Sequence, residues 1–258
     1  MGGPAIRRLE ELGELERARG LFDVIWDFEP GGDPLSVEAL LTLTRCGNYV
    51  FGAFHGEQMV GASVGIFGEP RSGEMCSYIT GASSIGSGTG LALKRHQRLW
   101  ALERGVDRIF WTFDPLIRRN AHFNLVKLGA RAESYHVDYY GKMPDSINQD
   151  DESDRLLAVW RLNDPLVADT ARNVFTTAYV PPDAELALEA RGDRPVRHET
   201  TARTLLFQVP HDIEKIRTED LGLAREWRWA LRETLDPLLK AGAAITGFHD
   251  RTSYLVQR

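Results

Sequence analysis

The stretch IGSGTG, Ile85 to Gly90, puts three glycines on alternate positions directly before the apolar and basic run LALKRHQRLW. A glycine backbone lets an anion approach with no Cβ in the way. The N–H groups at the start of a helix hold phosphate. Gly86, Gly88 and Gly90 are therefore a candidate phosphate cradle, with Ser87 and Thr89 as hydroxyl donors and Lys94 and Arg95 as positive charge a turn later. The plainer alternatives are a flexible turn and two solvated basic side chains. A nucleotide P-loop is excluded, because Leu91 follows Gly90 where that motif needs Lys-Ser/Thr. A dinucleotide fingerprint is excluded by the glycine spacing and by strands before the loop that read as antiparallel.

Groups suited to proton transfer lie further along. Asp114 sits in FDPL, Asn120 in NAHF, and His136, Asp138 and Tyr140 in YHVDYY. Strand alternation predicts His136, Asp138 and Tyr140 on one face, with Tyr135, Val137 and Tyr139 on the other. A His–Asp pair on one face can act as a general base. Each has a structural reading beside it. Asp114 precedes Pro115, a common turn device. Asn120 can cap a helix. His136 and Asp138 serve equally in packing, and Trp111, Phe113 and Phe123 read first as core. His122 and Asn124 read as helix surface. The ridge Arg225, Arg228, Arg232 reads first as a solvated helix face, and second as a contact for a ligand carboxylate.

The chain has 258 residues, 43% of them hydrophobic, and a net charge of −6. That length predicts one domain plus an extension. The acidic balance argues against a general nucleic-acid binder and leaves anion binding to a local site. Cys46 and Cys76 match neither a disulfide framework nor a metal-ligand spacing, so no metal is expected and a reducing cytoplasm fits. The charged N-terminus lacks the apolar core of a signal peptide. No apolar run reaches membrane-spanning length.

Periodicity supplies the elements that must position these residues. Ile6 to Leu9 reads as a strand. LGELERARGLFDVIWD reads as a helix, the break EPGGDP follows, and a second helix opens at Asp33-Pro34 and stops at Gly47. Three β-rich runs, NYVFGAFHG, EQMVGASVGIFG and GEMCSYITGA, read as consecutive antiparallel strands. A helix over Gly90 to Glu103 comes next, then the strand DRIFWTFDPL, a short helix in RRNAHFNLVKLGA and the strands AESYHVDYYG and DRLLAVWRLN. The order is βααβββαβαββ. Residues 164–203 read as linker or peripheral structure. After them come a strand, TLLFQVP, a long helix capped by Thr218 with the stripe Leu223, Trp227, Leu231, Leu235 and Leu238, and a hairpin around Asp250-Arg251.

The loop, the strand ending FDPL and the segment NAHFNLVKLGA together resemble the GNAT superfamily of acyl-CoA-dependent N-acyltransferases. ALKRHQRLWALERG, WTFDPLIRRNAHFNLVKLGA and YHVDYYG are similar to a bacterial subgroup with a C-terminal extension, some members of which are linked to N-succinylamino-acid metabolism. The resemblance implies an α/β (α+β) GNAT fold: a mixed, mostly antiparallel central sheet flanked by helices, with a strand–helix–hairpin extension. Residues 1–163 would form the acyltransferase domain. Residues 164–258 would pack on the sheet, cover the acceptor cleft or make a homodimer contact.

The implied activity moves an acetyl, or succinyl, group from CoA to a small amine or amino acid, with no nucleic acid and no membrane as partner. Carried over by motif, Ile85, Gly86, Ser87, Gly88, Thr89, Gly90 and Lys94 would bind the CoA pyrophosphate. Ile79, Thr80 and Gly81 would offer the thioester a strand edge. Asn120 and Phe123 would lie on the pantetheine side. Two departures stand out. Ile85 occupies a position where the family has Gln or Arg, and Leu125 stands where many relatives have a tyrosine acid. They favour the alternative of a GNAT-fold binding or regulatory protein with weak or no catalysis.

Overall fold

The computed structural model describes residues 2–28, 35–143 and 150–258. The expected EPGGDP break and the Asp33-Pro34 helix start lie outside the described residues, apart from the helix itself. The chain forms two compact units. The first holds residues up to Trp111 with 161–163. The second holds the described residues from Thr112 to Trp160 and from Asp164 to the end.

The first unit begins with β1 (Ala5–Arg8), α1 (Leu12–Trp26) and α2 (Val37–Arg45). Leu15, Ala18 and Phe22 recur at helical spacing on the buried face of α1. Ser36 caps α2 by accepting from Ala39 N–H at 3.2 Å. The strands β2 (Tyr49–His55), β3 (Gln58–Phe67) and β4 (Glu74–Ala82) follow, then α3 (Thr89–Leu102) and β5 (Arg108–Phe113). β1, β2, β3 and β4 pair antiparallel in sequence order. β4 and β5 pair parallel. Leu9, Leu15, Leu40, Val50, Phe54 and Val64 form the core between this sheet and its helices.

The second unit continues with α4 (Arg118–Ala121), which widens into a π-helical turn over His122–Lys127, and then β6 (Arg131–His136) and β7 (Arg155–Arg161). β6 and β7 pair antiparallel, with an irregularity between Ala132 and Ser134. Beyond them lie α5 (Pro165–Ala171), β8 (Glu185–Arg191), β9 (Arg194–Arg197), β10 (Thr204–Gln208), α6 (Ile213–Glu219), α7 (Leu221–Lys240), β11 (Ala244–His249) and β12 (Ser253–Gln257). The last five strands form one sheet in the order β11-β12-β10-β8-β9. Its closing hairpin turns at Asp250 and Arg251, both with positive φ, as a tight right-twisted hairpin requires.

Three expectations change. Residues 164–203 contain α5 and the β8–β9 hairpin. Asp164 caps α5 by accepting from Leu166 N–H, and Pro165 takes the first helical position, a start signal hidden among charged residues. The long helix starts at Leu221, not after Thr218, and a separate short helix, α6, precedes it. Asp220 caps α7 by accepting from Leu223 N–H, while the Thr218 hydroxyl donates within α6 to Glu214 O. Strand β6 stops at His136, so His136, Asp138 and Tyr140 do not share a strand face. Asp138 turns the chain with φ 44°. Among the described residues no helix is long and apolar enough to cross a membrane.

Candidate active site

In the first unit, β4 runs from the closed ladder out to the glycine loop. Its pairing with β5 covers Glu74–Arg108, Met75–Ile109 and Cys76–Phe110 and then ends, although β4 stays bonded to β3 as far as Ala82. The two parallel strands therefore part after Cys76 and Phe110. Among the described residues, none pairs with the β5-facing edge of β4 beyond that point, which includes Ile79, Thr80 and Gly81. Ile79 packs against the core, and the Thr80 hydroxyl lies 2.7 Å from that of Ser63. A Cβ on Gly81 would fall 2.6 Å from Ile25 Cδ1 and 2.9 Å from the Trp26 ring, so this position is glycine for space.

The loop after β4 turns through Gly86 and Gly88, with φ of 80° and 83°. Only glycine adopts such angles without strain. Gly88 is the N-cap of α3. A Cβ on either glycine would meet nothing within 4 Å, so the backbone there faces open space. The first i→i−4 bond of α3 is Ala92 N–H to Gly88 O, and the N–H groups before it have no intrahelical acceptor. The Ser87 hydroxyl donates to Ser84 O at 2.8 Å, with Thr89 Oγ1 at 3.1 Å, so the two expected hydroxyl donors are tied into the loop. Thr89 is buried, Gly90 lies in the first turn, and Ile85 is 86% exposed.

Lys94 does not flank the loop. Its ammonium is buried, donating to Ser77 Oγ at 2.6 Å and Gln97 Oε1 at 3.2 Å and lying 3.8 Å from the centre of the Trp111 ring. Burial pulls its pKa down to about 7, against an upward pull from Cys76. The same burial pushes the Cys76 thiol up. The sequence alone does not point to Ser77 and Gln97, and it gives Trp111 only as core. The available signal was polar Lys94 and Gln97 inside the apolar stripe of Leu93, Trp100 and Ala101 on α3.

In the second unit, Asp114 lies at the end of β5 and is fully engaged. Its Oδ1 accepts from Leu116 N–H at 2.9 Å and Arg228 at 3.0 Å, and its Oδ2 accepts from Arg228 at 3.0 Å and from Arg217. Burial alone would raise its pKa, but Arg228 and Arg217 outweigh it and hold the carboxyl far below the usual range. Both guanidinium groups also bind Asp151, at 2.7 and 3.0 Å. The arginine ridge of α7 is thus paired along its length, exposed at Arg225 and buried at Arg228. Arg225 donates to Asp150 O, Arg228 to Asp151, and Arg232 to Glu152 and Asp154. Arg228 is 1% exposed.

The remaining candidates of this unit are dispersed. His136 Nε2 lies 2.9 Å from Ser134 Oγ, and its ring meets Tyr139 edge-on. Asp138 Oδ1 accepts from the Ser153 amide and hydroxyl, not from His136. The Tyr140 hydroxyl lies 2.9 Å from Thr112 Oγ1, with an exposed ring. Tyr135 is buried and donates to Asp154 at 2.6 Å. Asn120 is the third residue of α4, whose N-cap is Ile117, and Phe123 is half-buried in the π-helical turn. Leu125 is buried.

No family profile and no curated protein sequence matches the chain. Solved structures do. An N-acetyltransferase from Staphylococcus aureus Mu50 is 13% identical with a TM-score of 0.52, over 63% of this chain and 100% of that one. A GNAT-family protein from Desulfovibrio desulfuricans is 17% identical with a TM-score of 0.50, over 61% and 98%. A NatC complex bound to Gag peptide and CoA is 13% identical with a TM-score of 0.50, over 62% and 99%. With the parted β4 and β5 and the glycine turn before α3, these likenesses establish that the chain carries the fold of the GNAT N-acetyltransferases.

Proposed function

We propose that the protein is an acyl-CoA-dependent N-acyltransferase with a small amine or amino acid as acceptor. The observation that carries the reading is the parting of β4 and β5 after Cys76 and Phe110, beside a loop that enters α3 through left-handed Gly86 and Gly88. The backbone N–H groups of that loop and of the first turn of α3 would hold the CoA pyrophosphate. The unpaired edge of β4, from Ile79 to Gly81, would donate to the thioester oxygen, where negative charge develops during attack. The acceptor attacks as a free amine, so its proton must leave before or during C–N bond formation. Among the described residues, His136, bonded to Ser134, and Tyr140, bonded to Thr112, are proton-transfer candidates that no ion pair ties down. Asp114 is not, because two arginines hold it ionised. The NatC complex is bound to CoA, which supports CoA as the carrier here. Acetyl is the default acyl group and succinyl the specific alternative.

The second reading is a GNAT-fold binding protein without efficient catalysis. Ile85 favours it, because an exposed isoleucine offers the pyrophosphate no charge. Thermal unfolding with and without millimolar acetyl-CoA or succinyl-CoA separates the two, followed by a panel of acyl-CoAs against pooled amino acids read by mass spectrometry. Stabilisation by CoA with acylated product supports the enzyme. Absence of stabilisation rejects it.

A further inference from the structure

Where β4 and β5 part, the first residue of each strand beyond the last pair is Ser77 and Trp111. The Lys94 ammonium occupies the point between them, bonded to Ser77 Oγ and set against the Trp111 ring. Gln97 fixes the amine from below through its Oε1, and its own Nε2 is buried with no hydrogen-bond partner. A Cβ on Gly65 would come 3.1 Å from that Nε2, so the glycine makes room for the amide. Ser77 accepts from Lys94, which leaves its own O–H to donate elsewhere. Nothing in the reaction outlined above uses these groups, yet that reaction still lacks a proton for the departing thiolate, and Leu125 supplies none.

We propose that Ser77 and Lys94 form the proton relay that serves the CoA leaving group. The inference rests on the acyltransferase reading. As the amine nitrogen bonds to the acyl carbon, the carbon–sulfur bond breaks and its electron pair goes to sulfur. The Ser77 hydroxyl gives its proton to the thiolate and takes one from the Lys94 ammonium. The acceptor's surplus proton goes to solvent, and Lys94 recovers its own from solvent when product leaves. An acid works best when its pKa lies near the working pH, and burial sets Lys94 at about 7. The thiol of Cys76 on β4 is a titratable neighbour that raises the Lys94 pKa against burial, while Ser77, Gln97 and Trp111 around the amine carry no charge.

The test is the pH dependence of steady-state turnover by the full chain, with Lys94→Met and Ser77→Ala beside the wild type. Wild-type kcat should fall on the alkaline side, because the relay needs protonated Lys94. Each variant should lose kcat by about 10²-fold with little change in the KM for acyl-CoA, and Lys94→Met should lose the alkaline limb. Ser77→Ala keeps the buried amine in place and carries the test should Lys94→Met fold poorly. A limb that persists in Lys94→Met, or variants that lose CoA stabilisation in step with kcat, would overturn the relay alone. A wild type that neither binds CoA nor turns over would overturn both the relay and the reading beneath it.

Discussion

Arg228 on α7 grips Asp114 at the end of β5 with two parallel hydrogen bonds of 3.0 Å, across 114 positions of the chain. The pair is completely buried, and both partners also reach Arg217 or Asp151. Burying ions is costly, and mutual attraction repays that cost only when every charge is met. Removing one member strands the others.

Arg228→Met is therefore expected to lower stability by about 3–5 kcal/mol, seen as an earlier urea midpoint. Arg225→Ala, on an exposed position of the same ridge, should leave the midpoint almost unmoved. Equal effects would show that burial does not set the importance of these arginines.

Asp114 also predicts an acid-side response. Its folded pKa lies below the unfolded value of 3.8, so its contribution is fully present above that value and is lost as pH falls towards the folded pKa. Urea midpoints should drop below about pH 4. In Asp114→Asn the whole curve should be lower and its acid slope shallower. An unchanged slope would mean that other carboxylates dominate.

Lys94 predicts a second rise of stability with pH, in a higher window. Its folded pKa is about 7 against 10.5 unfolded, so the unfolded chain binds more protons between those values and stability should rise with pH there. The slope is at most about 1.4 kcal/mol per pH unit. Lys94→Met should flatten it, as read from urea midpoints at pH 7, 8 and 9. A slope that survives would place the titrating group elsewhere.

Glycines of the two kinds should behave differently. Gly88→Ala meets no atom but forces φ 83° on an alanine, at about 1–2 kcal/mol. Gly61→Ala would press its Cβ to 2.7 Å from Thr89 Cγ2 and 3.1 Å from Gly81 O, at about 1–3 kcal/mol. Gly88→Glu should fold and lose all stabilisation by CoA. CoA binding that survives Gly88→Glu would remove the loop from the pyrophosphate site.

Ile85→Arg should be neutral for the fold, since the side chain is in solvent. A charge-assisted contact to the pyrophosphate is worth about 1.5–3 kcal/mol, so CoA should bind roughly tenfold tighter or better by calorimetry. Weaker binding would show that the mouth of the loop is filled in another way.

Local patterns made much of this legible. The order βααβββαβαββ followed from periodicity, and the glycines marked the turn before α3. What stayed hidden depended on partners distant in sequence. Arg225, Arg228 and Arg232 have the spacing of a solvated stripe, and only the acidic run 150–154 gives them another meaning. Asp138 beside His136 suggested a catalytic pair, but the strand ends at His136, two residues short of Asp138, and Ser153 takes the carboxylate. Lys94 beside a glycine loop suggested a phosphate contact, yet its place on the inner stripe of α3 carries the amine under the sheet.

The arginine ridge has one more consequence. Three side chains set about a helical turn apart on α7 engage Asp150, Asp151 and the Glu152–Asp154 stretch in order. Helix and acidic run are matched like two scales with a common zero. A single inserted or deleted residue between Asp150 and Arg155 would slip the phase and misalign every later pairing at once, whereas substitutions at Asp150, whose backbone carbonyl meets Arg225 and whose exposed carboxylate pairs with Lys142, should cost little. The length of this short run is constrained more tightly than its composition.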